Sequence, residues 1–156
     1  IVDALIGNWD RHNGNWGFLY NTATDEIAIA PVYDCGSCLY PQADEAIMRD
    51  TIDKQQERDL RTFSIPLSSI KVNGKKINYF DFISSLENAD CNKALKRILP
   101  KINMDAIFRI VDETPFISDL QKQFYKTMLR TRKERILDFA MEKLRKREKA
   151  KELEAR

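Results

Sequence analysis

Between residues 118 and 144 the chain sets Leu120, Phe124, Met128, Leu129, Ile136, Phe139, Ala140 and Leu144 at helical spacing. A stripe of that length, started by Ser118 or Asp119, predicts one long amphipathic helix that must find other elements to bury it. The segments ahead of it fit that need. "YFDFISSLEN", "CNKALKRIL" and "MDAIFRIVD" each hold apolar residues three and four apart and are expected to end at Asn, Pro or Thr-Pro, with "ADEAIMRD" and "KQQERDL" as shorter helical candidates upstream. Two β-prone runs, "WGFLYN" and "EIAIAPVY", flank the turn-rich "TATD" and predict a hairpin. An Asn-Gly turn inside "IKVNGKKIN" predicts a smaller one. The expected class is α+β and mainly α. After Leu144 the text "RKREKAKELEAR" loses its stripe and predicts a solvated helix end.

Bulk properties exclude several classes. At 156 residues, one domain able to bury roughly two thirds of its unfolded surface is expected. Hydrophobic residues make up 43%, with five Gly and five Pro, which argues against a disordered or fibrous chain. No apolar run approaches the roughly 20 residues that span a bilayer, so no membrane role is expected. A formal charge of +2 gives no sign of nucleic acid as an obligatory partner. Three cysteines and no signal peptide argue against a disulfide scaffold and for the cytoplasm. The chain lacks an initiator Met and begins inside the apolar pattern "IVDALIGN", which predicts a cut into a longer protein.

The densest chemistry lies in "GNWDRHNGNWGF", residues 7 to 18, where Gly7 is expected to close a short helix. Asp10 precedes Asn15 by five residues, the predicted hairpin comes next, and Asp34 stands just beyond it. Protein kinases use that order: a loop Asp accepts the proton of the attacking hydroxyl, while an Asn and a second Asp hold magnesium on the nucleotide phosphates. Loop and hairpin thereby return two hard oxygen ligands and a base to one point, which suits magnesium.

These residues resemble a particular family. "DALIGNWDRHNGNWGFL" followed by "IAPVYDCGSCLYP" is similar to the C-terminal lobe of the HipA-like serine/threonine kinases. Their loop reads Asp-x-His-x-x-Asn-aromatic or Asp-Gly-His-x-x-Asn, and their second motif apolar-Tyr-Asp-x-x-Ser. The match falls on Asp10, His12, Asn15, Tyr33, Asp34 and Ser37 and covers about residues 1 to 41. The resemblance implies a catalytic loop over 7–17, a hairpin over 16–33, a metal loop over 34–38 and a helical subdomain over 43–156. It implies Asp10 as base, Asn15 and Asp34 as ligands of Mg2+ and of the ATP it carries, and His12 as a supporting loop residue. It further implies transfer to Ser or Thr hydroxyls of a protein substrate, an antitoxin-like regulator, and a separate N-terminal lobe. Without that lobe's Gly-rich loop and strand-borne Lys, residues 1 to 156 alone are expected to be inactive. The Asn-Gly-Asn after His12 departs from the small or basic residue often found there.

Two rival readings stand beside this one. "DRHNGN" is also similar to the loop of phosphoinositide lipid kinases, which continue to Asp-Phe-Gly where this chain has Asp34-Cys35-Gly36. A non-enzymatic pseudokinase or toxin-antitoxin docking domain would usually lose a metal ligand, whereas Asn15 and Asp34 are both kept. Other residues carry plainer expectations. Trp9 and Trp16 are expected to anchor the loop in apolar surroundings, and His12 to donate a bond that fixes it. Cys35 and Cys38 form a Cys-x-x-Cys pair expected to pack structurally, because a zinc site would need Cys91 and His12 as well. Ser37 and Ser64 are possible phosphorylation sites with nothing to distinguish them.

Overall fold

The computed structural model describes residues 1–155. A short helix α1 (Val2–Ile6) ends at Gly7, whose φ of 65° closes the turn and lets its N–H reach the Asp3 carbonyl. The next loop includes a 3-10 turn at Asn13–Asn15 and leads into β1 (Phe18–Asn21), paired antiparallel with β2 (Glu26–Ile29), Phe18 opposite Ile29. Irregular chain then runs to α2 (Glu45–Asp53) and α3 (Gln55–Asp59), which continues as a π-helical segment, Leu60–Ser64. A second hairpin, β3 (Lys71–Val72) with β4 (Lys75–Lys76), turns on Asn73 and Gly74, both at positive φ.

The rest is helical: α4 (Tyr79–Ser85), α5 (Ala89–Ile98), α6 (Met104–Glu113) and the long rod, α7 (Asp119–Arg132) and α8 (Phe139–Glu154) joined through a π-helical stretch, Lys133–Asp138. Local sequence explains the starts. Asn78, Asn88 and Asn103 each accept the N–H three residues on, and Ser118 forms a capping box with Gln121. Asn88 therefore opens α5. The preceding helix instead stops at Leu86, in left-handed conformation, which corrects the expectation that the Asn terminates it.

The rod is the centre of the core. Leu129, Ile136, Leu137, Ala140 and Met141 pack with Ala4, Leu5, Tyr79, Ile83 and Leu95, while Phe124 and Met128 meet Met48 of α2. One member of the expected stripe is misplaced: Phe139 is 46% exposed and Leu137 is fully buried. The π-helical stretch adds about one residue to a turn and rotates the remainder of the rod, so the buried face steps from Ile136 to Leu137, Ala140, Met141 and Leu144.

Candidate active site

Asp10 and Asn15 lie on one tight loop. The Asn8 side chain accepts the Asp10 N–H at 3.0 Å, and the Asp10 carbonyl accepts from both the His12 N–H at 3.0 Å and Asn15 Nδ2 at 2.9 Å. Asn15 is buried, and its amide nitrogen serves the Asp10 carbonyl, which leaves its Oδ1 as the acceptor atom of that side chain without a hydrogen bond among the described residues. His12 Nδ1 accepts the Gly14 N–H at 3.0 Å, so the ring fixes the loop as an acceptor rather than as the expected donor. Gly14 makes that approach possible, since a Cβ there would stand 2.9 Å from the His12 ring. His12 Nε2 lies 4.0 Å from Asp10 Oδ2.

One guanidinium joins this loop to the backbone of Tyr33, the residue before Asp34. Arg11 is buried and pairs with Asp3 of α1, Nη2 to Oδ1 at 3.0 Å and Nε to Oδ2 at 3.1 Å. Its Nη1 donates to the carbonyls of both Asn15 and Tyr33, the latter at 2.9 Å. A single nitrogen therefore holds the residue at one end of the first hairpin beside the residue preceding Asp34. The Tyr33 hydroxyl adds a bond to the Gly14 carbonyl at 3.1 Å. Hydrogen bonding to Asp3 keeps the Arg11 pKa above its ordinary value, so the staple is permanently charged. Asp34 itself is exposed and has φ of 52°, a left-handed conformation that Asp tolerates.

Asp3, Arg11 and Tyr79 escaped the reading of the sequence. Tyr79 donates its hydroxyl to the carbonyl of buried Asn8, 71 residues away, and Asn8 Nδ2 donates to Asp3 at 2.9 Å. An acid within an apolar helical run, "IVDALI", is the one available hint that a cation nearby needs an anionic partner. The tryptophans depart from expectation: Trp9 is 40% and Trp16 51% exposed, because polar bonds rather than apolar anchors hold this loop. Cys35 is also exposed, not packed, while Cys38 is half-buried with its thiol pushed up to about 12 by burial and by Cys35 beside it. Among the described residues no three His, Cys, Asp or Glu side chains gather to hold a metal ion. No helix among the described residues is long and apolar enough to cross a membrane.

No family model matches the chain. Over 141 residues, 90% of its length, it is 49% identical to the serine/threonine-protein kinase CtkA of Helicobacter pylori strain J99, and it spans 43% of that protein. The crystal structure of the Helicobacter pylori proinflammatory kinase CtkA matches with a TM-score of 0.83 at 49% identity, over 89% of this chain and 51% of that one. The chain is thus a homologue of a serine/threonine kinase and shares the fold of about half of it.

Proposed function

We propose that this chain is the C-terminal lobe of a HipA-like protein kinase, which transfers the γ-phosphoryl group of ATP to Ser or Thr hydroxyls of a protein. The observation that carries the reading is the Arg11 staple, which sets Asn15 and the approach to Asp34 side by side next to Asp10. Asn15 Oδ1 and the Asp34 carboxylate are the magnesium ligands. Magnesium, when bound with ATP, neutralises charge on the phosphates and aligns the γ-phosphoryl group. Asp10 orients the acceptor hydroxyl and takes its proton as the new oxygen–phosphorus bond forms and the bond to ADP breaks. His12 and Arg11 hold the loop in shape. The lipid-kinase alternative is disfavoured by Cys35 in place of Phe after Asp34 and by likeness to a kinase named for Ser and Thr.

The first hairpin supports a second lobe. Phe18, Ile27 and Ile29 are 63%, 69% and 75% exposed, and they belong to strands with no buried residue on either face. A ribbon of this kind is marginal in water unless something covers it. In this reading the N-terminal lobe lies on it and closes over ATP. The test uses the full-length protein: Asp10→Asn should cut phosphoryl transfer by orders of magnitude, about a thousandfold, with ATP affinity nearly intact. Turnover close to wild type would overturn the assignment of the base.

A further inference from the structure

Beside the loop a groove of about 550 Å³ runs between His12, Gly14 and Trp16 on one wall and Ser69, Ile70 and Lys71 on the other. It starts one side chain from the base, since His12 stands 4.0 Å from Asp10. The far wall is fixed to the loop: Ser69 Oγ donates to the Trp9 carbonyl at 2.7 Å, and Tyr79, just past the second hairpin, bonds the Asn8 carbonyl. Anything lying in the groove is therefore held in register with Asp10.

The charge of that wall is unspent. Lys71 pairs with Lys76 across the hairpin, so the two point to the same face, while Lys75 sits opposite Val72 and points to the other. Among the described residues none of the three lysines forms an ion pair, as is also true of Lys101, Lys122 and Lys143, whereas Lys54, Lys93, Lys96, Lys126, Lys133 and Lys146 are paired; what sets Lys71 and Lys76 apart is that they face each other across one ribbon. Like charges directly opposite in a two-stranded ribbon are destabilising, and an anion between them removes that cost. Arg11, the other cation at the groove, is committed to Asp3 and to the Asn15 and Tyr33 carbonyls and cannot serve.

We infer that this groove seats the acceptor segment of the protein substrate, and that Lys71 and Lys76 select segments with acidic residues beside the Ser or Thr. The inference rests on the kinase reading above and adds its substrate class. An extended peptide suits the lining, because Trp16 and Ile70 offer apolar contact between the polar ends of the groove. Lys75, on the opposite face, takes no part.

The experiment compares Ser-centred peptides of one length, flanked by Asp and Glu or by Lys and Arg, as substrates of the full-length protein. Vesicles containing phosphatidylinositol form a third arm. The acidic peptide should be preferred by about tenfold or more in kcat/KM, and the preference should shrink as salt rises. Lys71→Glu with Lys76→Glu should abolish or reverse it with the KM for ATP unchanged, and Lys75→Glu should leave it within about twofold. Lys71→Ala with Lys76→Ala, a milder change for the hairpin, should weaken it in the same direction. Equal use of acidic and basic peptides, or a preference untouched in the double variants, overturns the inference and leaves the kinase reading standing. Phosphorylation of the vesicles alone assigns the groove to a lipid headgroup and overturns the protein segment. A full-length protein that transfers phosphate to none of the three, and none to itself, overturns the kinase reading and this inference together.

Discussion

Arg11 shows how much of the site depends on a residue that need not touch a reactant. Its pairing with Asp3 is largely but not wholly shielded from water, and loss of the guanidinium would leave the Asp3 carboxylate without its charge partner. Tyr79 is the second such support, and it offers a clean test. Its hydroxyl bonds the carbonyl of fully buried Asn8, and burial pushes its pKa up to about 12 from 10.0. Tyr79→Phe should therefore cost about 1–3 kcal/mol at neutral pH by leaving that carbonyl unpaired, read from denaturant unfolding. The same group predicts a pH dependence. Below pH 10 the phenol is protonated in folded and unfolded chains alike and its contribution is complete; between about 10 and 12 only the unfolded chain ionises, so stability falls. Tyr79→Phe should flatten that alkaline decline, and an unchanged slope would show that other groups govern it. The contrast with Asp10, Asn15 and Asp34 explains which site residues the sequence makes legible. Those three share a short window and a chemical pattern, whereas Tyr79 reaches the loop from 71 residues away and carries no local mark.

At the scale of elements, helix existence followed from spacing and caps, and the phase of the longest helix did not. The apolar stripe from Leu120 to Leu144 reads as regular, yet the π-helical stretch Lys133–Asp138 rotates it midway and brings Leu137 inward in place of Phe139. Periodicity measures which residues are apolar; it does not register one extra residue in a turn. The two positions rank oppositely under the two pictures. Leu137→Ala should destabilise by about 2–5 kcal/mol, as a fully buried truncation does. Phe139→Ala, which loses a half-exposed ring packed against Phe80 at 5.6 Å, should cost less despite the larger side chain. Thermal unfolding of both variants decides the order, and a costlier Phe139→Ala would remove the π-helical stretch from the account. The irregular chain around Asp34 was legible only as chemistry, because its geometry comes from Arg11 and from left-handed residues such as Asp34, Leu39 and Tyr40 rather than from any repeating pattern.

The whole molecule presents a finished helical core beside an unfinished surface. Buried residues concentrate along the rod, while the first hairpin has none and the candidate magnesium ligands stand at its base. Magnesium in kinase sites is held jointly by protein oxygens and nucleotide phosphates and keeps several waters, so on the proposed reading Asn15 and Asp34 alone would provide little affinity. Nothing among the described residues lies over the hairpin to enclose adenine, so contacts on one side only would leave ATP solvated and poorly aligned for in-line attack. Residues 1 to 156 by themselves should therefore bind Mg-ATP in the millimolar range or worse, at most about 4 kcal/mol. They should transfer no phosphate, even with the helical core folded as described. Calorimetry and a labelled-ATP assay on this chain test both statements. Micromolar binding or measurable transfer would mean that the site is completed within these residues or by a second copy, with the exposed hairpin as the surface on which two copies meet. Weak binding that tightens when the covering lobe is supplied would instead assign the apolar hairpin to that lobe, and place the energy of nucleotide binding at the junction rather than in the loop.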